Sequence, residues 1–151
     1  SRTSAELVFD QGLGDIFSIR IAGNFANQDI LGSMEFACNV AGSKLVVVLG
    51  HTKCGALKGG LDAPQIEGLG MDNLNHLIYH FEPCIHEVIK EGEERSSKNE
   101  DLLERLNVCN IKSTINDIRH QSSTLRNLEK EGKIMIVGAN YDVETGVVTW
   151  L

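Results

Sequence analysis

Residues 45–55 read LVVVLGHTKCG, and this stretch decides the fold. The apolar run Leu45–Leu49 is short, rich in valine and ends at Gly50, which is typical of a buried strand in a parallel sheet. His51 and Cys54 lie three residues apart just beyond the carboxyl end of that strand, where open α/β sheets bind their ligands. Imidazole and thiolate are zinc ligands, and a single turn with this spacing can present both. The stretch therefore predicts half of a zinc site.

Apolar periodicity along the rest of the chain predicts alternating strands and helices. The other predicted strands are 17–21, 133–138 and 147–151, the last of them an antiparallel edge strand. The predicted helices are 29–40, a short one from Cys54 to about Gly60, 74–88 with a kink or break at Pro83, and 102–128 with a break near Ser122. This alternation indicates a single α/β domain over residues 1–151, with a mostly parallel central sheet flanked by helices.

Composition narrows the classes of function. A chain of 151 residues, 42% hydrophobic and 23% charged, can bury one ordinary globular core. Its net charge of −7 opposes a nucleic-acid partner, which requires a basic face. No apolar run approaches the ~20 residues of a membrane span, so we expect no membrane partner. Four cysteines are too few for a disulfide framework, so we expect free thiols in a reducing, cytoplasmic compartment.

Four blocks of the sequence resemble the β-class carbonic anhydrases, and they occur in the same order. They are GDIFSIRIAGN (14–24), GSMEFA (32–37), VVVLGHTKCGA (46–56) and IMIVGANYD (134–142) followed by Thr145-Gly146. Four ordered blocks that extend over nearly the whole chain are far more specific than a lone His-x-x-Cys. The resemblance implies reversible hydration of carbon dioxide to bicarbonate and a proton by a zinc-bound hydroxide, in a cytoplasmic homodimer or higher homo-oligomer.

The resemblance also implies roles for individual residues. The family holds zinc with two cysteines and one histidine, and His51 and Cys54 match two of these three ligands. Phe17 matches an apolar residue that lines the carbon dioxide pocket, often across a dimer interface. Gly55 offers a backbone N–H near the substrate.

The third zinc ligand of the family matches no residue of the sequence. It is a cysteine on the first strand, followed two positions later by an aspartate and then by Ser-Arg. Ser1-Arg2 fits the end of that motif, so we expect the cysteine and the aspartate immediately before Ser1. Arg2 then matches the arginine that pairs with the aspartate and keeps it off the metal. We expect the missing strand between segments 17–21 and 45–49.

Several of these residues also have purely structural interpretations, which the sequence leaves open. His51 and Cys54 fit a buried polar pair at a helix start, and Phe17 fits the core as readily as a pocket. Arg2 fits a frayed terminal residue. Arg20 and Tyr141 match positions that hold a regulatory bicarbonate in some bacterial members, although the rest of that site lies upstream.

Other metal-binding residue types occur away from the predicted zinc turn. His76, His80 and Cys84 follow each other in steps of four along one predicted helix, a spacing that can bind metal. Because they flank an apolar stripe, we expect instead exposed histidines and a half-buried cysteine. We expect Cys38 and Cys109 to be small core residues.

Two functions besides carbonic anhydrase stay open at this point. One is a non-catalytic relative that keeps the fold as a sensor or assembly module, which zinc content per chain would reveal. The other is a related zinc hydrolase that acts on another small linear molecule such as carbon disulfide, which a substrate assay would reveal.

Overall fold

A three-stranded sheet lies at the centre of the computed structural model, which describes residues 4–63 and 70–151. The strands are β1 (Leu45–His51), β2 (Met135–Tyr141) and β3 (Val148–Trp150), in the order β1-β2-β3. β1 and β2 are parallel, in a register that places His51 opposite Tyr141. β3 is antiparallel to β2. The predicted α/β fold with an antiparallel C-terminal edge strand is confirmed.

Helices accompany this sheet in the part of the chain that the structure describes. They are α1 (Ala5–Val8), α2 (Gln28–Glu35) with a π-helical turn (Phe36–Val40) after it, α3 (Gly55–Leu61), α4 (Asp72–Tyr79), α5 (Glu82–Val88), α6 (Glu100–Gln121) and α7 (Ser123–Lys130). None of these helices combines the length and apolarity that crossing a membrane requires. Arg2 and residues 64–69 lie outside the described residues.

The two predicted helix breaks have clear local causes. Pro83 lies in the first turn of α5, where its missing N–H costs no helical hydrogen bond. Ser122 ends α6 and begins α7, and its hydroxyl accepts a hydrogen bond from the Leu125 N–H at 3.1 Å. Such a cap satisfies one of the amide groups that a helix start leaves without an intrahelical partner.

Helix α6 lies directly against the backbone of β1 and β2. Ile111 of α6 is fully buried, and a Cβ added at Gly138 would lie only 2.7 Å from its Cγ2 atom. A Cβ added at Gly50 would lie 2.6 Å from Ile111 Cδ1. Both glycines are therefore needed because the helix approaches the strands too closely for any larger residue.

The prediction of a strand at 17–21 is wrong. This segment is irregular, and it shares a cavity of about 540 Å³ with the edge of β1 that does not face β2. Phe17, Ile19 and Val47 are among the residues that line this cavity. Alternating apolar and polar residues indicate that the two sides of a segment face different environments. A strand also requires hydrogen bonds to a neighbouring strand. No described segment pairs with residues 17–21 in this way.

The expectation that all four cysteines are free is also wrong. Cys84 and Cys109 form a disulfide that joins α5 to α6, with their Cα atoms 5.8 Å apart. Counting cysteines misses such a bond because spacing along the chain does not reveal which helices pack together. Cys38 and Cys54 are free and buried, as expected for Cys38.

Loss of this disulfide should destabilise the protein substantially. We expect the double variant Cys84→Ala/Cys109→Ala to lose about 3 kcal/mol of unfolding free energy, because the bond closes a loop of 25 residues in the unfolded chain. Urea unfolding with and without dithiothreitol measures this. The reductant should destabilise the wild type by a similar amount and leave the double variant unchanged. Equal wild-type stability under both conditions would contradict the prediction.

An ion pair ties α6, α7 and β2 together. Arg119 Nε and Nη2 donate to the two carboxylate oxygens of Glu129, each at 2.8 Å, and Nη2 also donates to the Ile136 carbonyl at 3.3 Å. The hydrogen bond from Arg119 lowers the pKa of Glu129 despite the opposing effect of its partial burial.

This ion pair makes stability depend on pH. Glu129→Gln should cost about 1 kcal/mol of unfolding free energy at pH 7. The folded pKa of Glu129 lies below the ordinary value of 4.5, so the stabilisation is complete above that value and disappears as the pH falls through the folded pKa. Urea unfolding across pH 2–7 tests this, with Glu131→Gln as an exposed control. A stability difference that persists at the lowest pH would refute the assignment.

Candidate metal centre at the end of β1

The predicted ligands His51 and Cys54 are positioned by the last residue of β1 and the first turn of α3. His51 ends the strand, and the ladder to β2 extends one residue further through the Thr52 N–H, which donates to the Tyr141 carbonyl at 2.9 Å. Cys54 is the N-cap of α3. The strand and the helix thus fix the two ends of a two-residue turn.

That turn is held in an uncommon backbone conformation. Lys53 has a φ of 56°, in the left-handed region that non-glycine residues rarely occupy. Two contacts with the turn between β2 and β3 hold it there. The Val143 N–H donates to Thr52 Oγ1 at 3.0 Å, and Lys53 Nζ forms an ion pair with Glu144.

The His51 ring is oriented by the backbone. Its Nδ1 atom lies 2.8 Å from the Thr52 carbonyl oxygen. Because a carbonyl only accepts hydrogen bonds, Nδ1 carries the proton and Nε2 is the nitrogen available to a metal. A hydrogen bond with Cys54 raises the pKa of the half-buried His51, and burial opposes this rise.

The Cys54 thiol is buried, with 4% of the residue exposed. Burial alone would raise its pKa, but this effect is outweighed by the hydrogen bond with His51 and by the backbone N–H groups of Leu57 and Ala56. The net result is a pKa below the ordinary value of 9.0. A thiolate at the start of a helix is the form of cysteine that binds metals.

The other described site residues either follow Cys54 directly or line a cavity that His51 also lines. Gly55 is the exposed first residue of α3, directly after Cys54. Phe17, 49% exposed, lines the same cavity of about 540 Å³ as His51. Arg20 and Tyr141 line it as well. Within residues 4–63 and 70–151, no three His, Cys, Asp or Glu side chains converge to hold a metal ion.

A polar network near His51 was not foreseen from the sequence. Asn107 of α6 is 1% exposed, and its Nδ2 atom donates to Asn140 Oδ1 at 2.8 Å. Asn140 Nδ2 in turn donates to Glu104 Oε1 at 3.0 Å. Asn107 and Glu104 line a second cavity, of about 460 Å³, that His51 and Cys54 also line. In the sequence, Asn107 is a polar residue on the apolar face of the predicted helix 102–128, and this position is the signal that could have revealed its role.

Comparison with known proteins shows the family of the chain. A family model described as carbonic anhydrase matches residues 1–148. Carbonic anhydrase 2 of Mycobacterium tuberculosis is 32% identical over 146 residues, which are 97% of this chain and 67% of that protein. The carbonic anhydrase of Mycolicibacterium smegmatis is 32% identical over 148 residues, which are 98% of this chain and 68% of that protein.

Solved structures give the same result for the fold. The β-carbonic anhydrase CcaA superposes with a TM-score of 0.85 at 25% identity, covering 99% of this chain and 68% of that one. CafA of Aspergillus fumigatus, also a β-carbonic anhydrase, gives a TM-score of 0.81 at 25% identity, covering 98% and 69%. The chain therefore belongs to the carbonic anhydrase family, and to its β class. The two mycobacterial relatives are named carbonic anhydrases, and the protein is an enzyme of this kind.

The left-handed conformation of Lys53 predicts which substitutions the turn tolerates. Lys53→Val should be about 1–2 kcal/mol less stable than Lys53→Asn, because a β-branched residue resists a positive φ whereas asparagine accepts it. Both variants lose the ion pair with Glu144, so the comparison isolates the backbone effect. Urea unfolding of the two variants provides the measurement, and equal stability would show that the turn is unstrained.

Proposed function

We propose that the protein catalyses the reversible hydration of carbon dioxide at a zinc ion whose ligands include His51 Nε2 and Cys54 Sγ. The observation that carries this proposal is the convergence of both donors at the end of β1. The imidazole has its other nitrogen bound to a backbone carbonyl, and the thiol has a lowered pKa. Imidazole and thiolate are the donor types that zinc prefers, so the residues present fit the metal.

Two donors do not complete a catalytic zinc centre, which normally has three protein ligands. We propose that the third is the cysteine expected immediately before Ser1. The cavity along the outer edge of β1 reaches His51 and offers room for such a segment. In this proposal Arg2 binds the neighbouring aspartate, because a planar guanidinium meets a carboxylate at two points.

Held by His51, Cys54 and the proposed third ligand, a zinc ion would lower the pKa of a bound water to about 7 and so would supply a nucleophile at neutral pH. The residues of the chain bind and orient the substrate. Phe17 offers an apolar wall to an uncharged molecule, which suits carbon dioxide better than the charged product. The backbone N–H of Gly55, beside Cys54, is the donor that we assign to a substrate oxygen.

We further propose that the protein assembles as a homodimer or a higher homo-oligomer. The rings of Phe17 and Phe36 lie 6.2 Å apart and are both about half exposed, which is typical of a surface that another subunit covers. Two β-carbonic anhydrases of Sordaria macrospora, which share the fold at a TM-score of 0.82, are described as tetrameric.

The cytoplasmic location expected from the low cysteine content stays a proposal. The Cys84–Cys109 disulfide weighs against it, because such bonds are rare in reducing compartments.

One observation favours a second substrate for the same centre. The carbon disulfide hydrolase of Acidithiobacillus thiooxidans is 35% identical over 66 residues, which are 42% of this chain. Carbon disulfide is linear and uncharged like carbon dioxide, so one apolar pocket can admit either. Parallel assays with both substrates decide between them, and we expect carbon dioxide to be preferred.

The proposed zinc ligands are tested by substitution in the purified enzyme. Cys54→Ser should lose most of its zinc and at least 100-fold in kcat/KM, because it removes one of the proposed thiolate ligands. Cys38→Ala, which removes the other free buried thiol, should keep its zinc. Plasma mass spectrometry gives the zinc content, and stopped-flow hydration of carbon dioxide gives the rate. A full zinc equivalent in Cys54→Ser would overturn the proposal.

A further inference from the structure

Two histidines lie one helical turn apart at the end of α4. His76 is in the last turn of the helix, and His80 follows as its C-cap with helical backbone angles. Their ring centroids are 5.2 Å apart, and the ring planes are nearly perpendicular, at 83°. With metal–nitrogen bonds of about 2.0–2.1 Å, two imidazoles on one ion have their centroids roughly 4.5–5.2 Å apart. The observed separation lies at the upper end of this range, so the two rings are close enough to share one ion.

The His80 ring is already held in place. It stacks on the Phe25 ring, with centroids 4.1 Å apart and planes 17° from parallel. Because the ring has little freedom left to lose, binding costs less entropy than it would for a mobile side chain. Burial, followed by the charge of His76, lowers the pKa of His80, and the charge of Asp117 opposes this. His80 is therefore mainly neutral at pH 7, as a metal ligand must be.

The pair is distinct from the centre at the end of β1. Neither His76 nor His80 is among the described residues that line the two cavities beside His51. Cys84, the third member of the pattern in steps of four, is bonded to Cys109 and unavailable to a metal. Of the three residues in the pattern, only the two histidines are therefore available as metal ligands.

We propose that His76 and His80 form a second metal site on the surface of α4. It would hold one late first-row divalent ion, Ni²⁺, Cu²⁺ or Zn²⁺, for which imidazole is a suitable ligand, with water in the remaining positions. The exposed His76 ring turns about its Cβ–Cγ bond to meet an ion at the fixed His80. With two neutral ligands and no thiolate, the site binds more weakly than a cysteine-containing centre.

Titration with Ni²⁺ tests this site in the purified protein. Isothermal titration calorimetry compares the wild type with His76→Gln, His80→Gln and the matched control His86→Gln, which removes an exposed histidine of α5. We expect the wild type and His86→Gln to bind one more Ni²⁺ than the other two variants, or to bind it at least tenfold more tightly. His51 and Cys54 are present in all four proteins, so their contribution cancels.

A second measurement guards against misfolding of His80→Gln, which loses the stack on Phe25. Ni²⁺ should raise the melting temperature of the wild type and His86→Gln more than that of His76→Gln, whose substitution is at an exposed position. The proposal is overturned if His76→Gln matches the wild type in both Ni²⁺ affinity and Ni²⁺-dependent melting temperature. That outcome would leave the proposed zinc ligands His51 and Cys54 untouched.

Discussion

The close contact of α6 with the parallel pair β1–β2 is the constraint on which the rest of the structure depends. Gly50 and Gly138 lack side chains where Ile111 packs against the strands, so the helix lies directly on the backbone of β1 near its end and of β2 at its middle. His51 directly follows Gly50, and the same helix places Asn107 against Gly50. Core packing thus helps to position the candidate centre through a single backbone residue, Gly50.

The turn after β1 brings the two candidate metal ligands together next to this rigid position. A left-handed residue between strand and helix allows His51 and Cys54 to face each other within four residues. The helix start then supplies backbone N–H groups that favour a thiolate, although burial opposes the charge. Strain in the turn is offset by its contacts with the turn between β2 and β3.

Sequence reasoning succeeded where the determining contacts are local. The strand at 45–49 follows from a short run of apolar residues, and the helix break at Ser122 follows from a capping residue. The closeness of His51 to Cys54 follows from their spacing in one turn. It failed where the outcome depends on partners far along the chain. The alternation at 17–21 contains no information about a ladder partner, and the approach of Cys84 to Cys109 arises only when α5 packs on α6. The network from Asn107 to Asn140 is nonlocal for the same reason.

The two proposed histidine sites differ in the chemical environment that each would offer a metal ion. His51 is half-buried, oriented by a carbonyl and hydrogen-bonded to Cys54, whose pKa is lowered, so its site combines an imidazole with a thiol that ionises more readily. His76 and His80 offer two imidazoles and no thiol, and the His80 ring is stacked on Phe25. The affinities of simple nitrogen sites rise from Ni²⁺ to Cu²⁺ and fall at Zn²⁺, whereas thiolate favours zinc. Zinc should therefore fill the centre at the end of β1 first, and the pair on α4 should take what remains available in solution.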